Sequence, residues 1–435
     1  MGQWFESTSG YNMKVYNMKK LLIIIFLFYS CNDSILANKN ETNNHTSLSR
    51  SSSSTPYEGY TLYTSEPNYT TYLINNDLDT INTWVSDCQP ASMAYLLPDH
   101  TLLYPCKQQN VVLPNVAASG GRIIKYDWDG TILWDWICDW EYQLHHDIEP
   151  TNGGTILALA MEDLGGFRPD VVLEIEPDGM HGANLVWTWK VSEHMGELND
   201  PHKFYEDADY NQLDWNHFNV VSLYNGEISL SSRNWSEVYV IAWDWGDGDI
   251  LHRWGNPQNY GNGTEEDRIL FAQHGVNQIP DGYSGEGNYI LFNNMNMIGQ
   301  PNGNSIVMEF NMESGDVIWT FQENFYGAKQ SGAFRLPNGN TFVTTAGEGM
   351  FEVTNDGMIV WELSVEDVFR AQKYPSSYLT LFGDINGDGT LNVNDIVLIV
   401  NSIMSGVYNT DGDMNQDGIL NVLDIVTIAN TILNV

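Results

Sequence analysis

Between residues 57 and 382 the chain alternates apolar and polar positions in short runs that share one punctuation. The unit is apolar-x-apolar, an acidic residue, a turn glycine, an apolar pair and a tryptophan. It is clearest at Ile123–Trp134 (IIKYDWDGTILW), Val307–Trp319 (VMEFNMESGDVIW) and Phe351–Trp361 (FEVTNDGMIVW). Val172–Gly179 leading to Trp187, and Val238–Asp244 leading to Trp254, follow it more loosely, and Thr71–Trp84 is the weakest. Period-two alternation around Asp-Gly-type turns predicts β-hairpins. Six copies recur at about 40 to 67 residues, and all but the first follow another apolar hairpin, so each unit holds four strands. That period predicts an all-β, six-bladed β-propeller over 57–382. The first copy lacks an innermost strand, and Tyr374–Leu381 is expected to supply it, closing the ring and leaving few exposed edges.

The first hairpin of each unit carries the candidate chemistry. Aligned on their turn glycines, His146 precedes Gly154, His217 precedes Gly226 and His274 precedes Gly282 at matching places. Ser92 and Ser331 hold that place in two further units. A circular repeat brings such positions to one axis. The returning strand should bring Arg233 beside His217, and Thr344 and Thr345 beside Ser331. Three imidazoles, an arginine and hydroxyls are therefore expected at one mouth of the central channel. His145 is one residue out of phase and is expected to be structural. Trp134, Trp319 and Trp361 are expected to pack blades rather than hold ligands. His100, His181, His194, His202 and His252 fall in turns or insertions and carry no role.

Charge narrows the partners. A formal net charge of −38 argues against nucleic acid and anionic membrane as partners, and any anion site must bring its own positive charge. Met18-Lys-Lys followed by Leu21 to Tyr29 reads as a secretory signal, too short to span a bilayer. Residues 1–37 are expected to be that signal with an over-extended start, cleaved after Ala37, with lipid attachment at Cys31 as the alternative. Residues 38–56 read as a Ser/Asn-rich linker. The expected location is secreted or periplasmic, with cell-surface attachment open and no transmembrane span. Cys88 and Cys106 flank one strand pair, which allows a disulfide with Cys138 left free, or three buried thiols.

Arginine holds tetrahedral oxyanions in a planar fork, and imidazoles donate hydrogen bonds or attack as nucleophiles. The chain has neither a Walker loop nor a Gly-x-Ser-x-Gly elbow. Three converging histidines can also hold a metal, against which a neighbouring arginine argues by charge.

At Leu144-His-His-Asp147, Asp214-Trp-Asn-His-Phe-Asn219, Ser231-Ser-Arg-Asn234, Gln273-His-Gly275 and Phe351–Glu362 the chain resembles the nucleotide-independent bacterial arylsulfate sulfotransferases. The resemblance runs through most of the propeller. It implies a secreted or periplasmic enzyme that moves a sulfuryl group from an aryl sulfate to a phenolic acceptor through a covalent sulfohistidine, with no cofactor for the transfer. Carried over, His274 would be the nucleophile. Arg233, His217 and Asn219 would hold the sulfuryl oxygens, and His146 would bind sulfuryl or transfer a proton. Gly275 stands where the family often has Asp. Two alternatives remain: a non-catalytic propeller binding sulfated or other carbohydrate in a polysaccharide-degrading system, and a quinone-cofactor dehydrogenase suggested by the Asp-Gly and Trp repeat.

The last fifty or so residues form a separate module, expected over 383–435. Two loops repeat Asp-x-Asn-x-Asp-Gly, each closed by Asp and followed by an apolar helix. Carboxylates and amides at this spacing surround a hard cation, with glycine allowing the sharp turn. The expected ligands of two calcium ions are Asp384, Asn386, Asp388, Thr390 and Asp395, then Asp413, Asn415, Asp417, Ile419 and Asp424. Thr390 and Ile419 would contribute backbone carbonyls. The duplicated loops resemble type I dockerins, which implies a small α-helical calcium-dependent domain that docks on a cohesin-like scaffold protein. Val393-Asn394 and Val422-Leu423 replace the usual hydroxyl pair at the cohesin-reading positions. A calcium-stabilised tail that anchors or sorts the protein is the alternative.

Overall fold

The structure, a computed structural model, describes residues 53–108, 111–194, 213–243, 248–294, 304–379, 383–386, 391–415 and 417–433. The expected signal, most of the linker, Asp388 and Thr390 lie outside the described residues.

Alternation along the chain becomes six four-stranded sheets, the blades of an all-β propeller. The first blade holds β1 (Gly59–Ser65), β2 (Thr70–Asn75) and β3 (Thr80–Val85), and the second β4 (Tyr95–Leu96), β5 (Leu102–Lys107), β6 (Gly121–Tyr126) and β7 (Ile132–Ile137). The third holds β8 (Gln143–Pro150), β9 (Ile156–Met161), β10 (Asp170–Asp178) and β11 (Gly182–Lys190). The fourth holds β12 (Phe218–Tyr224), β13 (Glu227–Ser232), β14 (Glu237–Ala242) and β15 (Ile250–Trp254). The fifth holds β16 (His274–Gln278), β17 (Tyr289–Asn293), β18 (Ile306–Phe310) and β19 (Val317–Phe321). The sixth holds β20 (Gly332–Arg335), β21 (Thr341–Thr345), β22 (Gly349–Val353) and β23 (Ile359–Leu363).

The missing inner strand of the first blade comes from β24 (Ala371–Pro375), which pairs with β1 from Gly59↔Pro375 to Tyr63↔Ala371. It lies earlier than the expected Tyr374–Leu381. After Pro375 the chain turns into a short 3-10 segment, Ser376–Leu379, so pairing stops there.

The recurrent tryptophan now has a physical cause. In every blade an outer-strand indole N–H donates to a turn carbonyl of the next blade. Trp84 reaches Asp127 O (2.9 Å), Trp134 Gly182 O (2.8 Å), Trp189 Gly248 O (2.8 Å), Trp254 Gly315 O (3.1 Å), Trp319 Asn355 O (2.9 Å) and Trp361 Asn76 O (3.0 Å). The last bond joins the sixth blade to the first. In the third blade the donor is Trp189, opposite Val172, rather than Trp187, opposite Glu174. Buried indoles need such a partner, so the pattern couples core packing to blade-to-blade register.

Cys88 and Cys106 are joined as a disulfide, and Cys138 is a buried free thiol. Beyond the propeller, α1 (Val393–Ser405) and α2 (Val422–Leu433) follow the two loops. Asn392 caps α1 in a capping box with Asp395, and Gly406 ends it in the left-handed conformation. Ile399 and Ile428 are fully buried.

Candidate active site

Three inner strands open with a β-bulge. Register shifts fall between Leu144 and Ile148 in β8, Phe218 and Val221 in β12, and His274 and Asn277 in β16. His146 sits inside its bulge, His217 just before one, and His274 at the lip of the third, so they occupy neighbouring rather than identical registers. A bulge re-aims side chains beside a site. The backbone carries the cost: His146 and His217 both have φ 52°, and Ala118, Ala272, Gln330 and Ser331 are also left-handed. Among the described residues, these are six of the thirteen non-glycine positions with positive φ, and they gather at one end of the propeller. Such clustering marks strain held in place by surrounding packing. At Gly275, φ is 69° and a Cβ would stand 2.6 Å from Gly332 Cα, so no aspartate fits there without moving the fifth and sixth blades apart.

The hairpin return brings Arg233 beside His217, whose carbonyl accepts the Arg233 N–H at 3.0 Å. The His146 and His217 rings are 4.6 Å apart. His146, His217, Arg233 and His274 line one cavity of about 300 Å³. Its mouth adds Lys107 and Lys329, which sit 5.9 and 5.7 Å from the Phe369 ring centre, while Glu66 pairs with Lys107 at 3.1 Å. A cationic mouth on a chain of charge −38 is the local positive field an anion needs. Ser331 and Asn219 line a smaller adjoining space with His146 and His274. Thr344 pairs with Gly332 as the hairpin predicts, but neither it nor Thr345 lines either space.

The hydrogen bonds fix each ring's tautomer. Asn294 Nδ2 donates to Gly327 O (2.7 Å) and Gln330 O (3.0 Å), so its Oδ1 must face His274. His274 Nδ1 is 2.8 Å from that oxygen and 3.0 Å from Ala272 O, and both can only accept. The proton is therefore on Nδ1, and Nε2 keeps its lone pair. Burial drives His274 down to about 3, further lowered by Arg233 and His217 and partly restored by the Asn294 and Ala272 bonds. The ring stays neutral through the physiological range.

His217 Nδ1 lies 2.5 Å from Asp214 Oδ2. Burial raises the Asp214 carboxyl, but His217, His145 and Arg233 outweigh it and hold it below the ordinary carboxylate value. His146 Nδ1 lies 2.9 Å from His145 Nδ1, and His145 Nε2 lies 3.1 Å from Asp170 Oδ1. Burial lowers His146 well below the ordinary imidazole value, helped by His217, His145, His274 and Arg233. Asn219 Nδ2 is committed to Gln273 O at 2.7 Å, so the amide presents its oxygen, an acceptor, to the smaller space.

Several members of the site leave no trace in the repeat. Asn294, which orients His274, lies just past β17. Arg370 donates to Asp147 at 2.7 Å, and Ser92 Oγ donates to the same oxygen at 2.9 Å, tying the first three blades together across the axis. Among the described residues no group of three His, Cys, Asp or Glu side chains is arranged to hold a metal.

In the second calcium-type loop the donors Asp413, Asn415, Asp417, Asp424 and the Ile419 carbonyl are all oxygens, a set that suits a hard cation. Here the Asp413 carboxylate accepts from the N–H groups of Asp417 and Gly418, and that of Asp424 from Asn415 and Asn421. Asp395 does the same in the first loop, accepting from Ile385, Asn386 and Asn392.

Imidazoles and a guanidinium gathered under a cationic mouth make an arrangement whose charge suits a small anion. The chain belongs to the arylsulfotransferase (ASST) family, whose profile it matches over residues 50–359. Membership implies an aryl sulfotransferase that needs no nucleotide sulfate donor, with aryl sulfates and phenols as its substrate classes. None of the curated proteins compared with the chain matches it. Similar solved structures include a functionally unknown protein from Desulfotomaculum acetoxidans, 9% identical, covering 73% of this chain and 99% of its own, with a TM-score of 0.41. A putative 6-phosphogluconolactonase from Bacteroides fragilis is 11% identical, covers 74% and 99%, and has a TM-score of 0.42. Among the described residues no helix is long and apolar enough to cross a membrane.

Proposed function

We propose that the propeller moves a sulfuryl group from an aryl sulfate to a phenol through His274. The observation that carries this reading is the Asn294–His274 pair, which leaves Nε2 with a lone pair in a neutral, buried ring beside Arg233. Nε2 attacks sulfur as the S–O(aryl) bond breaks, and the phenolate leaves with that electron pair. The new N–S bond puts positive charge on the imidazole, which Asn294 Oδ1 and Ala272 O stabilise at Nδ1–H. Arg233 draws the sulfuryl oxygens, and His217, whose Nδ1 hydrogen is committed to Asp214, lines the same cavity. An incoming phenol then attacks sulfur, the N–S bond breaks, and the phenol proton passes to a base. Preorganised groups of this kind are worth about 3–4 kcal/mol each. Asn219 fits another part than the one the resemblance implies. Its free atom is an oxygen, which repels a sulfuryl oxygen and suits an O–H.

The C-terminal module is read as a calcium-binding dockerin-like unit that attaches the enzyme to a cohesin-like scaffold protein. The all-oxygen donor set and the duplicated loops support it. The basic, then apolar, leader and the acidic balance support export, with retention at the cell surface through the module.

The test is release of a chromogenic phenolate from its sulfate, with and without a phenol acceptor. Wild type should give a burst in single turnover and acceptor-dependent steady turnover, and His274→Asn should give neither. Equal release by the variant would remove the nucleophile assigned here.

A further inference from the structure

The two adjacent histidines of β8 form a hydrogen-bonded pair that points away from solvent. His145 and His146 are both buried, and their rings are perpendicular at 5.0 Å. The far end of the pair is Asp170, on β10, one strand beyond β9 in the same sheet. Its Oδ1 accepts from His145 Nε2 at 3.1 Å, and its Oδ2 accepts from Asn216 Nδ2 at 2.7 Å and from the Phe218 N–H. Asn216 is itself oriented, because its Oδ1 accepts the Asp170 N–H at 3.0 Å. Asp170 is thus an acceptor at both oxygens, and the order of protons follows from that end. His145 donates through Nε2, so its Nδ1 is an acceptor. His146 must then donate through Nδ1, so its Nε2 carries a lone pair.

A lone pair at Nε2 gives His146 no hydrogen to offer a sulfuryl oxygen. It does give a base beside the nucleophile, in the same cavity as His274.

We propose that His146 Nε2 takes the proton of the acceptor phenol, and that Asp170 and His145 are positioning residues that hold it ready to do so. This rests on the sulfuryl-transfer reading above. In the step, the phenol oxygen attacks sulfur and the N–S bond to His274 breaks. The electron pair returns to His274 Nε2, and the phenol proton moves to His146 Nε2. His146 then releases its Nδ1 proton toward His145 Nδ1, so the positive charge settles on His145 against the Asp170 carboxylate. The titratable and charged groups facing His146 are His217, His145, His274 and Arg233; the Arg233 guanidinium opposes a cation there, and the relay moves the charge away from it. Its reversal returns the proton through Nε2 to solvent or to a departing phenolate.

Asp170→Asn tests this directly. The amide would donate to His145 Nε2, reverse the order of protons and place a hydrogen on His146 Nε2. The half-reactions are read separately, by the phenolate burst and by the rate at which added phenol discharges the sulfo-enzyme. Discharge by an un-ionised phenol should slow about a hundredfold, at least tenfold more than the burst. The defect should shrink to within about threefold for a phenol already ionised at the assay pH, which has no proton to give. An equal loss in both half-reactions, or a defect that ignores acceptor ionisation, would overturn the relay while leaving His274 transfer intact. Absence of any burst in wild type would instead sink the sulfuryl-transfer reading itself. Should the variant not fold, nitrogen NMR of wild-type imidazoles decides: a proton on His146 Nδ1 agrees, and one on Nε2 refutes.

Discussion

At the scale of single residues, the site works by committing one end of each side chain so that the other is chemically defined. Asn294 spends its amide hydrogens on two carbonyls and thereby dictates the His274 tautomer. Burial keeps His274 neutral, and this links activity to stability. An unfolded histidine protonates near its ordinary value, about 6.5, whereas the folded ring resists protonation until about 3. The unfolded state therefore binds more protons between these values, and folding stability falls as pH drops from 6.5 toward 3. Thermal melts across that range should show the fall, with a smaller one in His274→Asn; an equal fall would put the linkage on other groups. The smaller axial space, about 20 Å³, has room for one water. Asn219 Oδ1, Gln330 Oε1 and Arg370 Nε on its walls have no partner among the described residues. An ordered water touching them is expected in a high-resolution crystal structure, and empty density there would contradict it.

At the scale of elements, bulges at the heads of the inner strands convert a packing repeat into a site. The recurrence of histidine near the turn glycines made three of these positions legible, because a strand repeat has a period. Arg233 was legible too, since a hairpin returns its far end beside its start. Asn294 and Asp170 were not: they act through neighbours across a sheet, and no periodicity marks them. His145 was out of phase and does point away from the channel, but its hydrogen bond to His146 could not be read from phase alone. The pattern also pointed to Trp187 where Trp189 makes the bond to the next blade, because two tryptophans on one face of β11 both fit the repeat. Gly275 shows what the bulge demands. Gly275→Ala adds a left-handed strain and a clash with Gly332, at a cost of roughly 1–3 kcal/mol. A lowered melting temperature and a weaker burst are expected together, and an unchanged burst would show that the close approach does not position His274.

At the scale of the whole molecule, six indole bonds and the β24–β1 pairing close the ring, and Arg370 with Asp147 pins its centre. The closed ring lets residues from three blades face each other without a flexible joint between them. The C-terminal module stands apart in its logic, with carboxylates drawn onto its own loop backbone and an oxygen-only donor set. Calcium should raise the melting temperature of the module and leave the phenolate burst unchanged, and Asp413→Ala with Asp424→Ala should abolish that rise. A module indifferent to calcium would leave it a helical tail of another kind.

The most direct measurement is mass spectrometry of the enzyme quenched after one turnover with an aryl sulfate and no acceptor. The expected result is one added sulfuryl group, labile to acid, on the peptide carrying His274, and absent from His274→Asn. A sulfuryl group on another residue, or none while phenolate is released in a burst, would contradict transfer through His274.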